Sequence, residues 1–217
     1  MIKPFAMLAM VVCLAGCAEI NRATTFLEGL GLSVTEAPET RPLQAALNPA
    51  PFPRRDELRT IEYTSLSSGT PGQIRILQRG NTISASQEDG CFWRRHADWF
   101  APSKSWSNCG TSKTWQTASA EVRVVDPLYP LKLGASGVYQ RVARSATGAV
   151  SARTTRCSVL DAVEVVGSSG KAAPSYVVEC RDGRRVRKTW YAPGIGPVAY
   201  VQRHRKRGLE DAWQRVF

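Results

Sequence analysis

The stretch between residues 91 and 115 combines tryptophan rings with charged side chains, a combination suited to binding sugars. Four of the six tryptophans lie there, and the side chains best placed to form a ligand surface are Trp93, Arg95, Trp99 and Trp106. Flat rings can stack on the C–H faces of a sugar while guanidinium groups bind its hydroxyls. The alternative is that the rings are core residues capping an open end of a sheet, since each would bury a large apolar area.

Two basic runs, residues 181–188 and 203–207, suggest an anion-binding edge. Alternation along a strand puts Arg185 and Arg187 on one face. If residues 184–191 pair with residues 197–204 across a turn, Arg203 and Arg205 arrive at the same end of the sheet. We therefore predict a single cationic edge formed by these four arginines. The alternative is a solvated edge that resists pairing with other sheets.

The sequence carries no recognisable catalytic constellation. Ser168 and Lys171 have the S-x-x-K spacing, but they lie in a Gly/Ser-rich turn without the supporting motifs. The chain has only two histidines, which leaves little material for a nucleophile and base pair. We predict no enzyme, no cofactor and no metal site. The alternative is an envelope glycan-processing hydrolase that uses Asp98, His96 or Glu88.

Cysteine usage indicates an oxidising compartment. Beyond the N-terminal region the chain contains four cysteines, Cys91, Cys109, Cys157 and Cys180, and an even number favours disulfides in an exported protein. Three pairings are possible. We prefer Cys91 with Cys109 and Cys157 with Cys180, because each pair falls in its own half of the chain. A disulfide that closes a loop of this size stabilises the fold by about 3 kcal/mol, because it restricts the unfolded chain.

The N-terminus is similar to a bacterial lipoprotein signal. Lys3 is followed by a short apolar stretch and then by Leu14-Ala15-Gly16-Cys17. Residues 4–16 are fewer than the roughly 20 apolar residues that a membrane span needs. The similarity implies cleavage after residue 16, acylation of Cys17 and attachment to the membrane through several lipid chains. Ala18 after the cysteine implies delivery to the outer membrane, on its periplasmic side.

The charge of the chain favours acidic partners. Loss of Lys3 with the signal lowers the formal net charge from +11 to +10. Lipopolysaccharide, peptidoglycan or another envelope protein are therefore the expected partners besides the membrane itself. Nucleic acid is not expected, because the export signal removes the chain from the cytoplasm.

The elements that must position these residues are short strands. Prolines at positions 38, 42, 49, 51 and 53 predict a semi-extended tether over residues 17–56. Residues 57–217 predict a β-rich domain, with possible halves 57–125 and 126–217. The predicted strands are 58–65, 73–79, 81–86, 121–125, 137–144, 150–160, 162–166, 176–181, 184–192, 198–204 and 211–217. The fold class is all-β and mostly antiparallel, a strongly curved sheet or incomplete barrel.

Two local expectations concern the connections between strands. The stretch from residue 87 to residue 120 has no clear alternation and predicts an irregular segment closed by a disulfide. Asp182-Gly183 lies between two alternating runs and predicts a hairpin with a type I′ turn.

The C-terminal half carries a family resemblance. The segments are LYPLKLG at 128–134, RCSV at 156–159, VVEC at 177–180 and WYAPGIGPV at 190–198, with DGCFW at 89–93 and WSNC at 106–109 upstream. Their order resembles a broad group of secreted and lipid-anchored bacterial β-proteins with a PLxxG strand and a WYAPGxGxV hairpin. The chain reads GSSGKAAP at 167–174, where many members have PAGTF. The resemblance covers residues 89–217 and implies a fold and a compartment, but no catalytic residue.

Taken together, these features predict a noncatalytic outer-membrane lipoprotein. It would serve as a binding or interaction module in envelope maintenance or assembly. Besides the hydrolase, a second alternative is a lipid carrier, which would require an apolar and unfilled cavity inside the curved sheet.

Overall fold

The computed structural model describes residues 37–53 and 56–217, and every regular element in that part of the chain is a β-strand. The strands are β1 (Thr40–Pro42), β2 (Glu57–Ser65), β3 (Pro71–Arg79), β4 (Thr82–Gln87), β5 (Phe92–His96), β6 (Ser103–Ser107), β7 (Ala118–Asp126), β8 (Ser136–Ser145), β9 (Val150–Val166), β10 (Ala172–Asp182), β11 (Arg185–Ala192), β12 (Gly196–His204) and β13 (Gly208–Arg215).

The strands form one antiparallel sheet that closes on itself. Their order is β9-β10-β11-β12-β13-β2-β3-β4-β5-β6-β7-β8, and β8 pairs back with β9. One edge of β9 serves two partners, because β8 takes residues 150–158 and the extra strand β1 takes residues 163–165. The predicted all-β, antiparallel fold is confirmed. Closure is complete, which the prediction of a curved sheet or incomplete barrel left open.

The stretch predicted to be irregular contains two strands. β5 and β6 pair over Phe92–Ser107, Trp93–Trp106 and Arg94–Ser105, and each strand has only five residues. Such short segments with polar side chains on both faces show too little alternation to be recognised. In contrast, the predicted strands 150–160 and 162–166 form the single strand β9, with a bulge that leaves Leu160 out of register with β10.

The hairpin at residues 182–185 exists, but its turn differs from the prediction. Asp182 pairs with Arg185, so Gly183 and Arg184 form the two-residue loop. Gly183 has a φ of 54°, whereas Arg184 is not among the described residues with a positive φ. A type I′ turn needs two positive φ values, so the type I′ prediction is wrong; a glycine first in the loop is the type II′ arrangement.

Two apolar clusters lie on opposite faces of the sheet. The larger cluster fills the barrel and contains Val178, Tyr191 and Trp213, while a smaller one contains their neighbours Val177, Trp190 and Ala212. Because successive side chains of a strand point to opposite faces, the smaller cluster covers the outer face of β9–β13. Both faces of this part of the sheet are therefore buried.

The two disulfides pair as predicted. Cys91 directly precedes β5 and is bonded to Cys109, which follows β6. Cys157 is bonded to Cys180. The second pair lies directly cross-strand between β9 and β10, with a Cα–Cα distance of 4.0 Å. Cys157 and Cys180 are both buried in the barrel core.

Residues 37–53 lie against the barrel. Ala50 is buried and exchanges two backbone hydrogen bonds with Leu131, at 2.9 and 2.8 Å. The ring of Phe52 packs at 5.4 Å from that of Tyr129. The predicted signal (residues 1–16), Cys17 and most of the predicted tether lie outside the described residues.

Candidate functional site

Five arginines converge on one end of the barrel, and we call them the arginine cluster: Arg95, Arg141, Arg153, Arg185 and Arg187. Strand alternation places them. Arg187 is the cross-strand partner of Cys180, which belongs to the barrel core. Arg141 follows the buried Tyr139 by two residues on β8 and is directly opposite Arg153 on β9. Like charges in directly opposed positions destabilise a sheet, so the Arg141–Arg153 pair favours the presence of negative charge nearby.

Three members of the cluster carry buried nitrogens without a hydrogen-bond partner among the described residues. These are the Nε atoms of Arg95 and Arg141 and both Nε and Nη2 of Arg187. Guanidinium groups are five-fold donors, and a buried donor without an acceptor costs about 1–3 kcal/mol. These donors are enclosed by the protein and lack an acceptor among the described residues.

Burial and mutual repulsion perturb the cluster. Burial, followed by the charge of Arg187, lowers the pKa of Arg95 to about 10. Burial also lowers the pKa of Arg141, and Arg187 adds to this while Asp182 opposes it. With a pKa of about 10, Arg95 remains a cation at neutral pH. Strand register places these charges, from β5, β8 and β11, on the inner face of the barrel.

Two carboxylates hold the outer members of the cluster. Glu210 accepts hydrogen bonds from Arg185 Nε at 2.7 Å and Nη2 at 3.4 Å, and it also pairs with Arg207. Asp182 Oδ1 lies 3.4 Å from Nη1 of Arg153. The side chains of Arg153 and Arg185 are 39% and 38% exposed. The cluster is thus open to solvent on this side and closed by the core on the other.

The predicted tryptophan surface is mostly core. Trp93 and Trp99 are buried, with ring centroids 5.7 Å apart. Arg95 lies over both rings, at 4.1 and 5.0 Å from their centroids, and donates to the carbonyl of Trp99 at 2.7 Å. Trp106 is half-buried, and its Nε1 donates to the carbonyl of Trp115. The rings of Trp93 and Trp99 therefore pack against Arg95 and do not form an exposed surface for stacking on sugars.

The structure separates the four arginines predicted to form one edge. Arg185 pairs with His204 and Val186 pairs with Arg203, so Arg203 is on the face opposite Arg185. Arg205 is exposed and its backbone N–H bonds to the carbonyl of Arg184. The strand ends meet as predicted, but only Arg185 and Arg187 join the interior cluster. Sequence reasoning missed Arg141 and Arg153, which share the alternating face of the buried Tyr139 and Thr155.

Of the three residues considered for hydrolysis, Asp98 and His96 are neighbours with structural hydrogen bonds, and Glu88 lies apart from them. Asp98 is buried, where Oδ2 accepts from the Tyr139 hydroxyl at 2.5 Å and Oδ1 from the Phe100 N–H at 2.9 Å. Nδ1 of His96 accepts from the backbone of Asp98 at 3.2 Å. Glu88 is exposed in a turn. In these positions Asp98 and His96 order the loop between β5 and β6.

Metal, membrane-span and similarity searches add no further assignment. Within residues 37–53 and 56–217, no cluster of three His, Cys, Asp or Glu side chains is arranged to hold a metal ion. The same residues contain no helix with the length and apolarity for crossing a membrane. Comparisons with models of protein families, with curated proteins and with solved structures found no match for this chain.

Proposed function

We propose that this chain is a noncatalytic outer-membrane lipoprotein whose barrel binds a phosphate-bearing constituent of the envelope, with lipopolysaccharide as the partner. The observation that supports this is the arginine cluster. Its members Arg153 and Arg185 are partly exposed, and Arg187 carries guanidinium nitrogens without a partner among the described residues. Arginine binds phosphate oxygens through paired, charge-assisted hydrogen bonds. The lipobox around Cys17 and the two disulfides support an envelope location.

The same geometry argues against the other two functions. A lipid carrier needs an apolar cavity, but aromatic side chains fill the barrel, and the pocket beside Trp99, Tyr191 and Ile83 has a volume of only about 20 Å³. A hydrolase needs accessible acid groups, whereas Asp98 is 3% exposed and already holds two donors.

A binding titration with charge-matched variants tests the proposal. The purified protein is titrated with vesicles that contain lipopolysaccharide and with phosphatidylcholine vesicles. We expect Arg141→Gln with Arg187→Gln to weaken binding by about tenfold or more, because each lost charge-assisted hydrogen bond is worth about 1.5–3 kcal/mol. Affinity should also fall as the salt concentration rises, because salt screens the partly exposed charges of Arg153 and Arg185.

The control is Arg203→Gln with Arg205→Gln, which removes the same charge from the face opposite Arg185 and from the turn after β12. We expect this pair to bind nearly as well as the unchanged protein. Equal losses in both pairs would show that only overall charge matters and would overturn the assignment to the cluster. Unchanged binding in the Arg141/Arg187 pair, with both proteins folded by melting curve, would overturn it as well.

A further inference from the structure

A groove on the outer face of β5–β8 has the size and chemistry of a second binding site. It has a volume of about 450 Å³, within the range of about 300–1,000 Å³ that is usual for ligand sites. Most of its exposed lining surface is apolar, but seven of its eleven described lining residues have polar side chains and none is a carboxylate. The lining residues are Phe92, Arg94, Ser105, Trp106, Ser107, Thr117, Ala118, Ser119, Arg144, Ser145 and Ala146.

Strand register aligns the polar groups of this groove in one row. Arg94 is opposite Ser105, Ser105 is opposite Ser119, and Ser119 is opposite Arg144. Neighbouring strands are about 4.8 Å apart, so the two arginines lie about 14 Å apart along the row. Two cations therefore flank two hydroxyls at a spacing that exceeds a single small anion.

An aromatic ring and further hydroxyls complete the groove. Phe92 lies two residues before Arg94 on β5 and therefore on the same face. The guanidinium of Arg94 lies 5.9 Å from the centroid of the Phe92 ring. Ser107 is the cross-strand partner of Phe92. Trp106 lines the groove and is contacted by Arg141 of the arginine cluster at 5.3 Å. Arg141 therefore contacts, from the barrel interior, a residue that also lines the groove.

These groups match one class of ligand. Hydroxyl side chains exchange hydrogen bonds with sugar hydroxyls, a flat ring covers a C–H face, and arginines bind carboxylates or phosphates. The absence of carboxylates from the described lining makes the groove favourable for a negatively charged ligand. We propose that the groove between Arg94 and Arg144 binds a short segment of an acidic oligosaccharide. The site is separate from the arginine cluster and stands beyond the proposed function.

Titration with charged and neutral tetrasaccharides tests the groove. The probes are tetragalacturonate and maltotetraose, which differ in carboxylates. We expect measurable binding of tetragalacturonate and at least about tenfold weaker binding of maltotetraose. Arg94→Gln with Arg144→Gln should raise the Kd for tetragalacturonate by about tenfold or more. Ser105→Ala with Ser119→Ala is a second variant that leaves all charges in place and should raise the Kd by a smaller factor.

The matched control is Arg75→Gln with Arg79→Gln, two exposed arginines on β3. It should leave the Kd within about twofold. Equal losses in both arginine pairs, equal affinity for the two tetrasaccharides, or complete displacement by inorganic phosphate at equal concentration would each overturn the proposal. Arg187→Gln should weaken the lipopolysaccharide interaction and spare tetragalacturonate, so failure of one site is distinguishable from failure of the other.

Discussion

At the scale of single residues, the barrel interior contains polar groups whose hydrogen bonds are with distant parts of the chain. Asp98 on the β5–β6 loop accepts from Tyr139 on β8. Burial raises the pKa of Asp98, while the hydrogen bonds from Tyr139 and Phe100 oppose that rise. Glu210 similarly joins β13 to Arg185 on β11. Such pairs fix the register of strands that are far apart in the sequence.

We expect Tyr139→Phe to destabilise the protein by about 1–3 kcal/mol, because the buried Asp98 carboxyl loses its strongest side-chain donor. Urea denaturation measures the change. The control is Tyr176→Phe, which removes a hydroxyl that donates to the neutral carbonyl of Asn48 at 2.9 Å and should cost about 1 kcal/mol. A Tyr139→Phe variant as stable as the unchanged protein would contradict the structural role given to Asp98.

Glu210 should make stability depend on acid pH. Burial raises the pKa of this carboxyl, but hydrogen bonding and the charges of Arg185 and Arg207 exceed that effect, so the pKa falls below its ordinary value of 4.5. A lowered pKa means that Glu210 stabilises the fold above pH 4.5, and that this contribution is lost as the pH falls through 4.5 towards the folded value.

We therefore expect Glu210→Gln to lower stability at pH 7 by about 1 kcal/mol, a modest figure because the paired arginines are partly exposed. The difference from the unchanged protein should shrink below pH 4.5. Denaturation curves between pH 3 and pH 7 measure this, with the exposed Glu121→Gln as the control. A constant difference at every pH would show that Glu210 acts through packing instead.

At the scale of elements, the disulfides connect strands with different surroundings. The Cys157–Cys180 bridge joins β9 to β10 inside the core, with the two residues 1% and 4% exposed, whereas Cys109 is only partly buried. The sequence separations are 23 and 18 residues, so loop closure alone gives nearly equal stabilisation for both bridges.

We expect replacement of Cys157 and Cys180 by alanine to destabilise the fold more than replacement of Cys91 and Cys109. Each loss should include about 3 kcal/mol from the missing cross-link, and the buried pair should lose more through the cavity left in the core. Denaturant unfolding of the two double variants measures the order. Equal losses would show that packing around Cys157 and Cys180 relaxes to fill the space.

At the scale of the whole molecule, the barrel carries the arginine cluster at one end of its interior and the groove between Arg94 and Arg144 on its outer face. We propose that the chain is fixed to the outer membrane. Acylated Cys17 would then hold the protein at the outer membrane. Cys17→Ser should release the protein from membranes or leave the signal uncut, whereas Cys13→Ser should change neither. Detergent partitioning and the mass of the N-terminal peptide measure this, and unchanged partitioning of Cys17→Ser without a lipid mass would exclude the anchor.

Features that depend on local pattern could be predicted from the sequence. Alternation predicted the β-rich class and the long strands, because a strand with one buried face must alternate. Even numbers of cysteines in separate halves predicted both disulfides. The resemblance to secreted β-proteins, the lipid anchor and the envelope partners stay predictions.

Which side chains share a face and meet across the barrel depends on the tertiary structure. Arg185 and Arg203 are close in the predicted hairpin, yet register puts them on opposite faces, since a one-residue offset reverses every side chain. Pairing of β13 with β2, the last strand with the first strand of the ring, closes the sheet. Arg141 and Arg153 of the β8–β9 hairpin therefore share one interior with Arg187 of β11. The same closure buries Trp93 and Trp99, because the interior of a closed barrel must be filled by the side chains that face it.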